Sequence, residues 1–392
     1  MTNQHKLRLA VFFGGRSVEH GVSIVTAAQV IASLDRGRYE VIAVYATEGG
    51  EYYAVPEFNV ADYTGLPLNP QTFDAFARAK GRRVIVSAER GRLLSALSRT
   101  PGIGERLSPI EVDVAFSIVH GSHGEDGTLQ GVFELADVPY VGPNLVPAAI
   151  AMDKIAAKAF FRGLGLPTVE GIWFDRPAWQ ANQASVVARV RELGYPVFVK
   201  PATLGSSIGV ARVNADDDEY SLAFAVDTVL NYDRRCIVER AVPDGMDINC
   251  AVMRGPDGVR VSQCERPIKD EEVLDYAAKY LRGSKQEGMA AARRVFPADV
   301  PDEVATRIRA MAETAYTQLS MRGLARIDFL VQPSTAWKVY INEINAIPGS
   351  MATYFWELEG MKTAEVIDQL IADAQAAHRE KQRTIYSLSQ VR

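Results

Sequence analysis

Two segments between residues 324 and 345 carry charged and amide side chains at alternate positions. Arg326 and Asp328 are two residues apart, as are Glu343 and Asn345, and residues i and i+2 of a strand share a face. The short segment 332–336 predicts a hairpin that sets the two strands side by side. Two carboxylates and an amide on one face are oxygen ligands suited to Mg²⁺, with phosphates and water completing its shell. The alternative is a solvated face of paired charges, which the apolar residues between these positions disfavour.

A second candidate site combines a lysine with a loop of small residues. Lys200 ends the apolar run Pro196–Val199, and the glycine- and serine-rich loop Gly205–Gly209 follows it. Backbone N–H groups of such a loop can surround a phosphate. The order excludes a Walker A loop, in which the lysine follows the glycines. A turn without ligand is the alternative, but burial of the Lys200 ammonium at the end of an apolar strand would require a partner.

Further polar segments lie at strand ends and turns. Glu239 ends an apolar strand, where its carboxylate could bind an adenine amino group or face solvent. The polar and aromatic stretch 274–284 predicts either a mobile lid over a reaction centre or a plain surface loop. Two glycine-rich turns, 14–20 and 119–127, follow strands, where open α/β sheets bind small ligands. The two histidines of the second turn have no cysteine nearby, which disfavours a zinc site.

The elements that must position these residues fall into three units. In the first, apolar strands alternate with glycine turns and helical patterns, which is typical of a parallel α/β sheet. Within it, Pro56–Arg82 predicts an irregular insertion. We therefore predict an N-terminal α/β unit over residues 1–147, a central unit over 148–235, and a strand-rich C-terminal unit over 236–392.

The composition favours a globular protein that acts on small molecules. The chain has 392 residues, 47% hydrophobic and 23% charged, with a net charge of −5, so neither disorder nor nucleic-acid binding is expected. No stretch approaches the ~20 apolar residues that cross a membrane, and we expect no signal peptide at the start. Three cysteines without a CxxC motif indicate reduced thiols, and hence a cytoplasmic protein.

The chain resembles the D-alanine–D-alanine ligase family of the ATP-grasp superfamily. The matching motifs are GGRSVEH, HGSHGEDGTLQG, PYVGP, AMDKIAAK, PVFVKPATLGSSIGV, LDYAAKY, RGLARIDF and NEINAIPGS. Each motif alone is weakly specific, but eight in this order, from about Leu9 to Ala374, are highly specific. The resemblance implies a parallel α/β (preATP-grasp) domain that binds substrate, followed by a two-part ATP-grasp fold with the metal site and a lid loop in its second part.

The resemblance also implies roles for individual residues around ATP held between the central and C-terminal units. The residues implied to bind ATP are Lys154, Lys200, Ser207, Glu239, Val242, Asp247 and Lys279. The ligands implied for two Mg²⁺ ions, with Mn²⁺ as the alternative ion, are Asp328, Glu343 and Asn345. The catalytic residues implied are Glu19, Ser206, Tyr280, Arg326 and Gly349. The residues implied to line the amino-acid pocket are His120, Glu125 and Ser350.

The implied reaction joins two D-alanines for peptidoglycan precursors. The carboxylate of the first would attack the γ-phosphate of ATP, giving an acyl phosphate that the amine of the second then attacks. Arg326 and the Gly349 N–H would hold the tetrahedral oxyanion, and Glu19, Ser206 and Tyr280 would form a hydrogen-bonded triad near the acceptor. The tyrosine at 280 suggests an amine acceptor, because phenylalanine there accompanies hydroxy acids in this family. A homodimer is also expected, while the composition and charge predict neither nucleic-acid nor membrane partners.

The chain departs from the family's usual pattern at the acceptor end. Asn345–Ala352 differs from the usual NEINTxPGFT, and Thr353–Trp356 replaces the Ser-Leu pair that usually receives the acceptor's carboxylate. These aromatic side chains could reshape a pocket sized for a methyl group, or could pack inward as core. The alternative function is therefore a ligase of the same chemistry with another acceptor.

Two more distant alternatives are disfavoured. A catalytically silent nucleotide binder would have little need for all six residues that the chemistry requires, which are Lys154, Lys200, Arg326, Asp328, Glu343 and Asn345. A dinucleotide-dependent oxidoreductase is discarded because no GxGxxG follows the first strand.

Overall fold

The computed structural model describes residues 6–56, 70–100, 104–217, 219–268 and 293–386. Its strands, numbered in chain order, are β1 Leu7–Gly14, β2 Tyr39–Ala46, β3 Tyr52–Val55, β4 Arg82–Val86, β5 Leu94–Thr100, β6 Gly104–Ile110, β7 Val114–Ser117, β8 Tyr140–Val141, β9 Gly171–Asp175, β10 Val197–Pro201, β11 Ala211–Val213, β12 Arg235–Arg240, β13 Met246–Gly255, β14 Gly258–Val261, β15 Arg266–Pro267, β16 Arg294–Val295, β17 Leu324–Gln332 and β18 Lys338–Asn345. The α-helices span His20–Ser33, Pro70–Lys80, Thr128–Ala136, Leu145–Met152, Lys154–Gly163, Arg176–Ala181, Gln183–Leu193, Glu219–Tyr232, Asp302–Gln318, Thr353–Glu357 and Thr363–Lys381. Short 3₁₀ turns span Pro333–Thr335 and Gly349–Ala352.

The N-terminal sheet is parallel around β1 and antiparallel beyond β2. Its order is β6-β5-β4-β3-β2-β1-β7-β8, and β1 pairs parallel with β2 and β7. The helix His20–Ser33 connects β1 to β2, which confirms the predicted strand–turn–helix unit. The outer strands β3 to β6 pair antiparallel. Connections such as 47–51 and 87–93 are too short for a parallel crossover, which needs about a dozen residues.

The prediction of an irregular insertion over Pro56–Arg82 is wrong for the second half of this segment. Residues 70–80 form a helix, and Phe73 and Ala77, one turn apart, are buried in the N-terminal core. Residues 57–69 lie outside the described part of the chain. The helical period was present in the sequence, but only its tertiary packing makes so short a helix stable.

The central sheet is antiparallel, with the order β11-β10-β12-β9. Helices Gln183–Leu193 and Glu219–Tyr232 contribute apolar residues to its core. A boundary between 235 and 236 would cut through β12, which pairs with β10 and β9. The chain passes from the central sheet to the C-terminal sheet between Arg240 and Met246. The boundary between these units therefore lies a few residues after the predicted position.

The C-terminal sheet has the order β14-β13-β17-β18. The hairpin of β17 and β18 forms as predicted, with Arg326 opposite Asn345 and Asp328 opposite Glu343. A bulge follows Asp328. All four polar side chains therefore belong to one face of the sheet, while the intervening Ile327 and Phe329 point into the core.

The helix Thr363–Lys381 returns to the N-terminal sheet. Its buried residues Val366, Ile367 and Leu370 share one apolar core with Leu9 and Val11 of β1. The first and third units are thus joined by a common core, which fixes the two sheets beside each other. No helix in the described ranges is long and apolar enough to cross a membrane.

Candidate active site

A guanidinium–carboxylate–amide cluster lies on the polar face of the C-terminal sheet. Arg326 binds Asp328 through two parallel hydrogen bonds, Nε to Oδ1 and Nη2 to Oδ2, both 2.7 Å long. Asn345 Nδ2 donates to the same Oδ2 at 3.0 Å. The side chains of Arg326 and Asp328 are 12% and 14% exposed, so the alternative of a solvated face does not hold. The predicted oxyanion donor and a predicted metal ligand therefore bind each other.

Negative charge accumulates around Asp328. Burial raises the pKa of Asp328, Arg326 lowers it, and Glu343 and Asp247 raise it again, so that the pKa lies above its usual value. Asp247 belongs to β13, and Asn249, two residues further along that strand, pairs with Asp328 of β17. In the described ranges no three His, Cys, Asp or Glu side chains are grouped closely enough to hold a metal. The donor set at this place is thus two carboxylates and an amide, and a cation would relieve the repulsion between the carboxylates.

Lys154 lies between this cluster and the small-residue loop. It begins the helix Lys154–Gly163, whose first turn is capped by Asp153, which accepts N–H bonds from Ile155 and Ala156. The Lys154 ammonium donates to the Leu204 carbonyl and lies 3.9 Å from Glu343 Oε2. The helix thereby holds a positive charge where the central and C-terminal sheets face each other.

Glu239 is buried between two lysines. Lys158 Nζ lies 2.6 Å from Oε1, and Lys200 Nζ lies 2.7 Å from Oε2. Burial alone would raise the pKa of Glu239, but the two ammonium groups outweigh it and lower the pKa to about 2. The predicted partner for a buried Lys200 is therefore Glu239. Lys158 was not among the predicted site residues, although it lies four residues after Lys154 and so on the same helical face.

The segment that links the central and C-terminal sheets passes beside Glu239. Val242 is half-buried in this turn, and its carbonyl accepts the Gly245 N–H at 3.2 Å. Asp247 follows at the start of β13. Val242 and Asp247, both expected to bind ATP, thus follow the lysine-paired carboxylate closely along the chain.

Glu19 joins the N-terminal turn to the small-residue loop. Ser206 Oγ donates to Glu19 Oε1, and Glu19 is 7% exposed. Two glycines make room for this carboxylate, since a Cβ on Gly121 or Gly205 would lie 2.7 or 3.1 Å from Oε2. Ser206 also has a left-handed backbone (φ 53°), as does the following Ser207 (φ 60°); such conformations recur at ligand-binding loops.

Two residues of the predicted lid, Lys279 and Tyr280, lie outside the described residues. Tyr280 is the residue predicted to complete the triad with Glu19 and Ser206.

Glu125 connects the segments that follow β7 and β18, and so links the N-terminal and C-terminal sheets. Its carboxylate accepts the Gly121 N–H at 2.7 Å and the Ile347 N–H at 2.9 Å. Burial raises its pKa, and the nearby Glu19 carboxylate raises it further, to about 8 in spite of these bonds and Arg326. A cation bound beside Glu19 and Glu125 would relieve the carboxylate repulsion that contributes to the raised pKa of Glu125.

Replacing Glu125 with glutamine tests this raised pKa. Because the folded pKa exceeds the usual 4.5, the stabilisation is complete below about pH 4.5 and is lost as the pH rises through about 8. Relative to Glu125→Gln, the wild type should lose on the order of 2–4 kcal/mol of unfolding free energy between about pH 5 and pH 9. Urea unfolding at both pH values measures this. Parallel pH dependences of the two proteins would mean that Glu125 is already ionised at neutral pH.

His120 is a buried neutral side chain at the bottom of the same turn. It is 3% exposed, and burial lowers its pKa to about 4. Its Nε2 lies 3.1 Å from Thr26 Oγ1, which also accepts the Ser350 N–H at 3.2 Å. His120 and Ser350, both predicted in the amino-acid pocket, are thus joined through one hydroxyl of the helix His20–Ser33.

The segment after Gly349 has a strained backbone and is followed by three buried aromatic side chains. Ser350, Met351 and Ala352, directly after Gly349, have φ of 52°, 50° and 45°, three successive left-handed residues that are not glycine. Tyr354 and the two aromatic residues after it are 5%, 0% and 1% exposed. Of the two interpretations of these aromatic residues, packing as core is therefore confirmed.

Tyr354 belongs to a buried polar network under Arg326. Its hydroxyl lies 3.1 Å from Glu265 Oε1, which also accepts from Asn249 Nδ2 at 3.2 Å. The guanidinium of Arg294 lies 4.0 Å from the centre of the Tyr354 ring. Sequence analysis gave no sign of Glu265 or Arg294, since their roles depend on contacts between distant segments.

Comparisons with known proteins agree with this geometry. The family model described as D-ala D-ala ligase N-terminus matches residues 8–143, and the one described as D-ala D-ala ligase C-terminus matches residues 160–372. A D-alanine–D-alanine ligase of Thermoanaerobacter sp. (strain X514) is 35% identical over 386 residues, 96% of this chain and 99% of that protein. One from Kineococcus radiotolerans is 36% identical over 383 residues, covering 95% of this chain and 97% of its own.

Solved structures share the fold over nearly the whole chain. The D-alanine–D-alanine ligase of Coxiella burnetii superposes with a TM-score of 0.74 at 28% identity, covering 96% of each chain. The VanG D-Ala:D-Ser ligase of Enterococcus faecalis superposes with a TM-score of 0.75 at 28% identity, covering 94% of this chain and all of that one. The predicted mixed α/β architecture with an ATP-grasp fold is therefore confirmed. Since the N-terminal and C-terminal family models match in order, and a relative 35% identical covers nearly the whole chain, the chain belongs to the D-alanine–D-alanine ligase family.

Proposed function

We propose that this protein joins two D-alanine molecules in an ATP-dependent reaction that supplies peptidoglycan precursors. The observation that carries the proposal is the meeting of three charged groups between the sheets. These groups are the Lys154 ammonium 3.9 Å from Glu343, the Arg326–Asp328–Asn345 cluster, and the Glu19–Ser206 pair on the N-terminal side. They match an anionic triphosphate, a reacting carboxyl group and an ammonium.

In the first step, the donor's carboxylate attacks the γ-phosphorus of ATP, giving an acyl phosphate and ADP. Glu19 binds the donor's ammonium, and Lys154 and Lys200 bind the phosphates. Ser207, Glu239, Val242, Asp247 and Lys279 complete the nucleotide site. Such phosphoryl transfer depends on positioning and charge neutralisation more than on covalent help.

In the second step, the acceptor's amine attacks the acyl carbon, its proton is lost, and phosphate leaves as the amide forms. Arg326 and the Gly349 N–H stabilise the oxyanion of the tetrahedral intermediate. Ser206 and Tyr280 act with Glu19 beside the acceptor, while His120, Glu125 and Ser350 shape the pocket.

The metal site of the proposal consists of Asp328, Glu343 and Asn345. The fit rests on their chemistry, since hard oxygen donors suit Mg²⁺ or Mn²⁺, and on the carboxylate repulsion that raises the pKa of Asp328. When bound, two such ions neutralise phosphate oxygens.

We also propose that the protein is a cytoplasmic homodimer that acts on small amino acids. The three cysteines, all buried and free, accord with a reducing compartment. Gel filtration with light scattering measures the oligomeric state, and a monomer at assay concentration would contradict this part.

The proposal is tested by ADP release from the purified chain with ATP and Mg²⁺, and by the mass of the product. D-alanine alone should support turnover and give a dipeptide. The panel also contains D-alanine paired with D-serine, D-lactate or glycine, together with L-amino acids. Turnover with only a mixed pair would transfer the function to a ligase with another acceptor, such as the D-serine of the VanG enzyme. Silence with D-alanine in every combination would refute the proposal.

A further inference from the structure

Lys158 is a buried cation that the proposed reaction does not use. It lies one turn after Lys154 in the helix Lys154–Gly163, and its side chain is 2% exposed. Its Nζ lies 2.6 Å from Glu239 Oε1 and 3.4 Å from the Asn342 carbonyl of β18. An ammonium at such depth is costly without partners, and these two partners belong to the two different sheets that flank the nucleotide site.

Glu239 divides its two oxygens between Lys158 and Lys200. Two ammonium groups and one carboxylate leave one net positive charge on the buried group. Without Lys158, Glu239 would neutralise Lys200 completely, and both carboxylate oxygens would compete for the Lys200 ammonium. Lys158 and Lys200 contact different oxygens of Glu239, so the net charge that this group presents to a ligand depends on Lys158.

We propose that Lys158 is a positioning residue that keeps the Lys200 ammonium available for the phosphates of ATP by occupying one oxygen of Glu239. This inference rests on the proposed function, in which Lys200 binds phosphate. Lys158 does not touch the nucleotide. The effect of Lys158 on ATP binding is electrostatic and acts at the phosphates. This effect should therefore depend on the number of phosphates in the ligand.

The dependence on phosphate separates this role from a purely structural one. Lys158→Met should weaken ATP binding about 10- to 50-fold, the effect of removing one charge roughly 8 Å from a phosphate at an effective dielectric constant of ~20. Binding of adenosine should change by less than about twofold. Lys158→Arg keeps the charge and should retain most of the ATP affinity. A structural role would instead weaken adenosine and ATP alike.

Calorimetric titration of the full chain with ATP, ADP and adenosine measures these affinities. Lys338→Met, which removes an exposed lysine at the far end of β18, is the matched control and should bind ATP as the wild type does. Lys158→Gln, with a shorter neutral side chain, provides a second test if the methionine variant does not fold.

The outcomes distinguish this inference from the function on which it rests. A wild-type chain that binds no ATP refutes the proposed function and the role of Lys158 with it. A wild type that binds ATP, beside Lys158 variants with unchanged ATP affinity or with equal losses for ATP and adenosine, refutes the role of Lys158 alone.

Discussion

Replacing Arg326 with alanine is expected to lower kcat by about 10²–10³-fold, the usual loss when one oxyanion donor is removed. The guanidinium is held rigidly by its two 2.7 Å bonds to Asp328, so it needs no reorganisation when charge develops on the reacting carbonyl. Burial lowers its pKa, but Asp328 and the nearby Glu265 outweigh burial and hold the pKa well above its usual value. Steady-state ADP release with D-alanine measures the loss.

Two further variants test whether the loss of kcat in Arg326→Ala comes from the missing oxyanion donor. Arg326→Lys should recover little activity, because a lysine cannot make both parallel bonds to Asp328. Arg92→Ala removes an exposed guanidinium that pairs with Glu89 at 3.3 Å, and it should leave kcat unchanged. A loss of less than about tenfold in Arg326→Ala would remove Arg326 from the reacting centre.

Replacing Glu343 with glutamine is expected to lower turnover about a thousandfold at ordinary Mg²⁺ concentrations. A metal ion contributes several kcal/mol to such a reaction, and each ~1.4 kcal/mol is a factor of ten. The amide keeps the size of the side chain but removes the charge that faces Lys154 and adjoins Asp328. The concentration of Mg²⁺ that gives half the maximal rate should also rise, which a titration of the rate with Mg²⁺ measures.

The matched control for Glu343 is Glu303→Gln, an exposed carboxylate at the start of the helix Asp302–Gln318. It should leave both the rate and the Mg²⁺ requirement unchanged. Normal turnover in Glu343→Gln would exclude Glu343 from the metal site, while a lower rate with an unaltered Mg²⁺ requirement would assign it a different role.

The hairpin that carries the acid and amide residues could be predicted because the information is local. Alternation by two places Arg326 with Asp328 and Glu343 with Asn345 on one face, and a short connection leaves little choice of pairing. The register found in the structure is the one this argument requires. The parallel strands around β1 were predictable for the same reason, since each is adjacent in sequence to its turn and helix.

Contacts between distant segments were not predictable from local patterns. Lys158 meets Glu239 across 81 positions of the chain, and Glu265 meets Tyr354 across 89. Nothing in the residues near Glu239 indicates that both its oxygens face lysines. Burial decides such pairings, because each charge must find a partner once the sheets come together. The antiparallel half of the N-terminal sheet was missed because its edge strands carry weak apolar patterns, such as that of β6.

The helix Thr363–Lys381 has a consequence for how the protein is made on the ribosome. The N-terminal sheet extends to Val141, but its core includes Val366 and Leu370, about 225 residues later in synthesis. At ~5–20 residues per second, the ribosome needs roughly 10–45 s to supply them. During that interval only earlier segments, such as the helix His20–Ser33, can cover the apolar face of β1. Synthesis of the helix Thr363–Lys381 therefore completes the core that it shares with the N-terminal sheet.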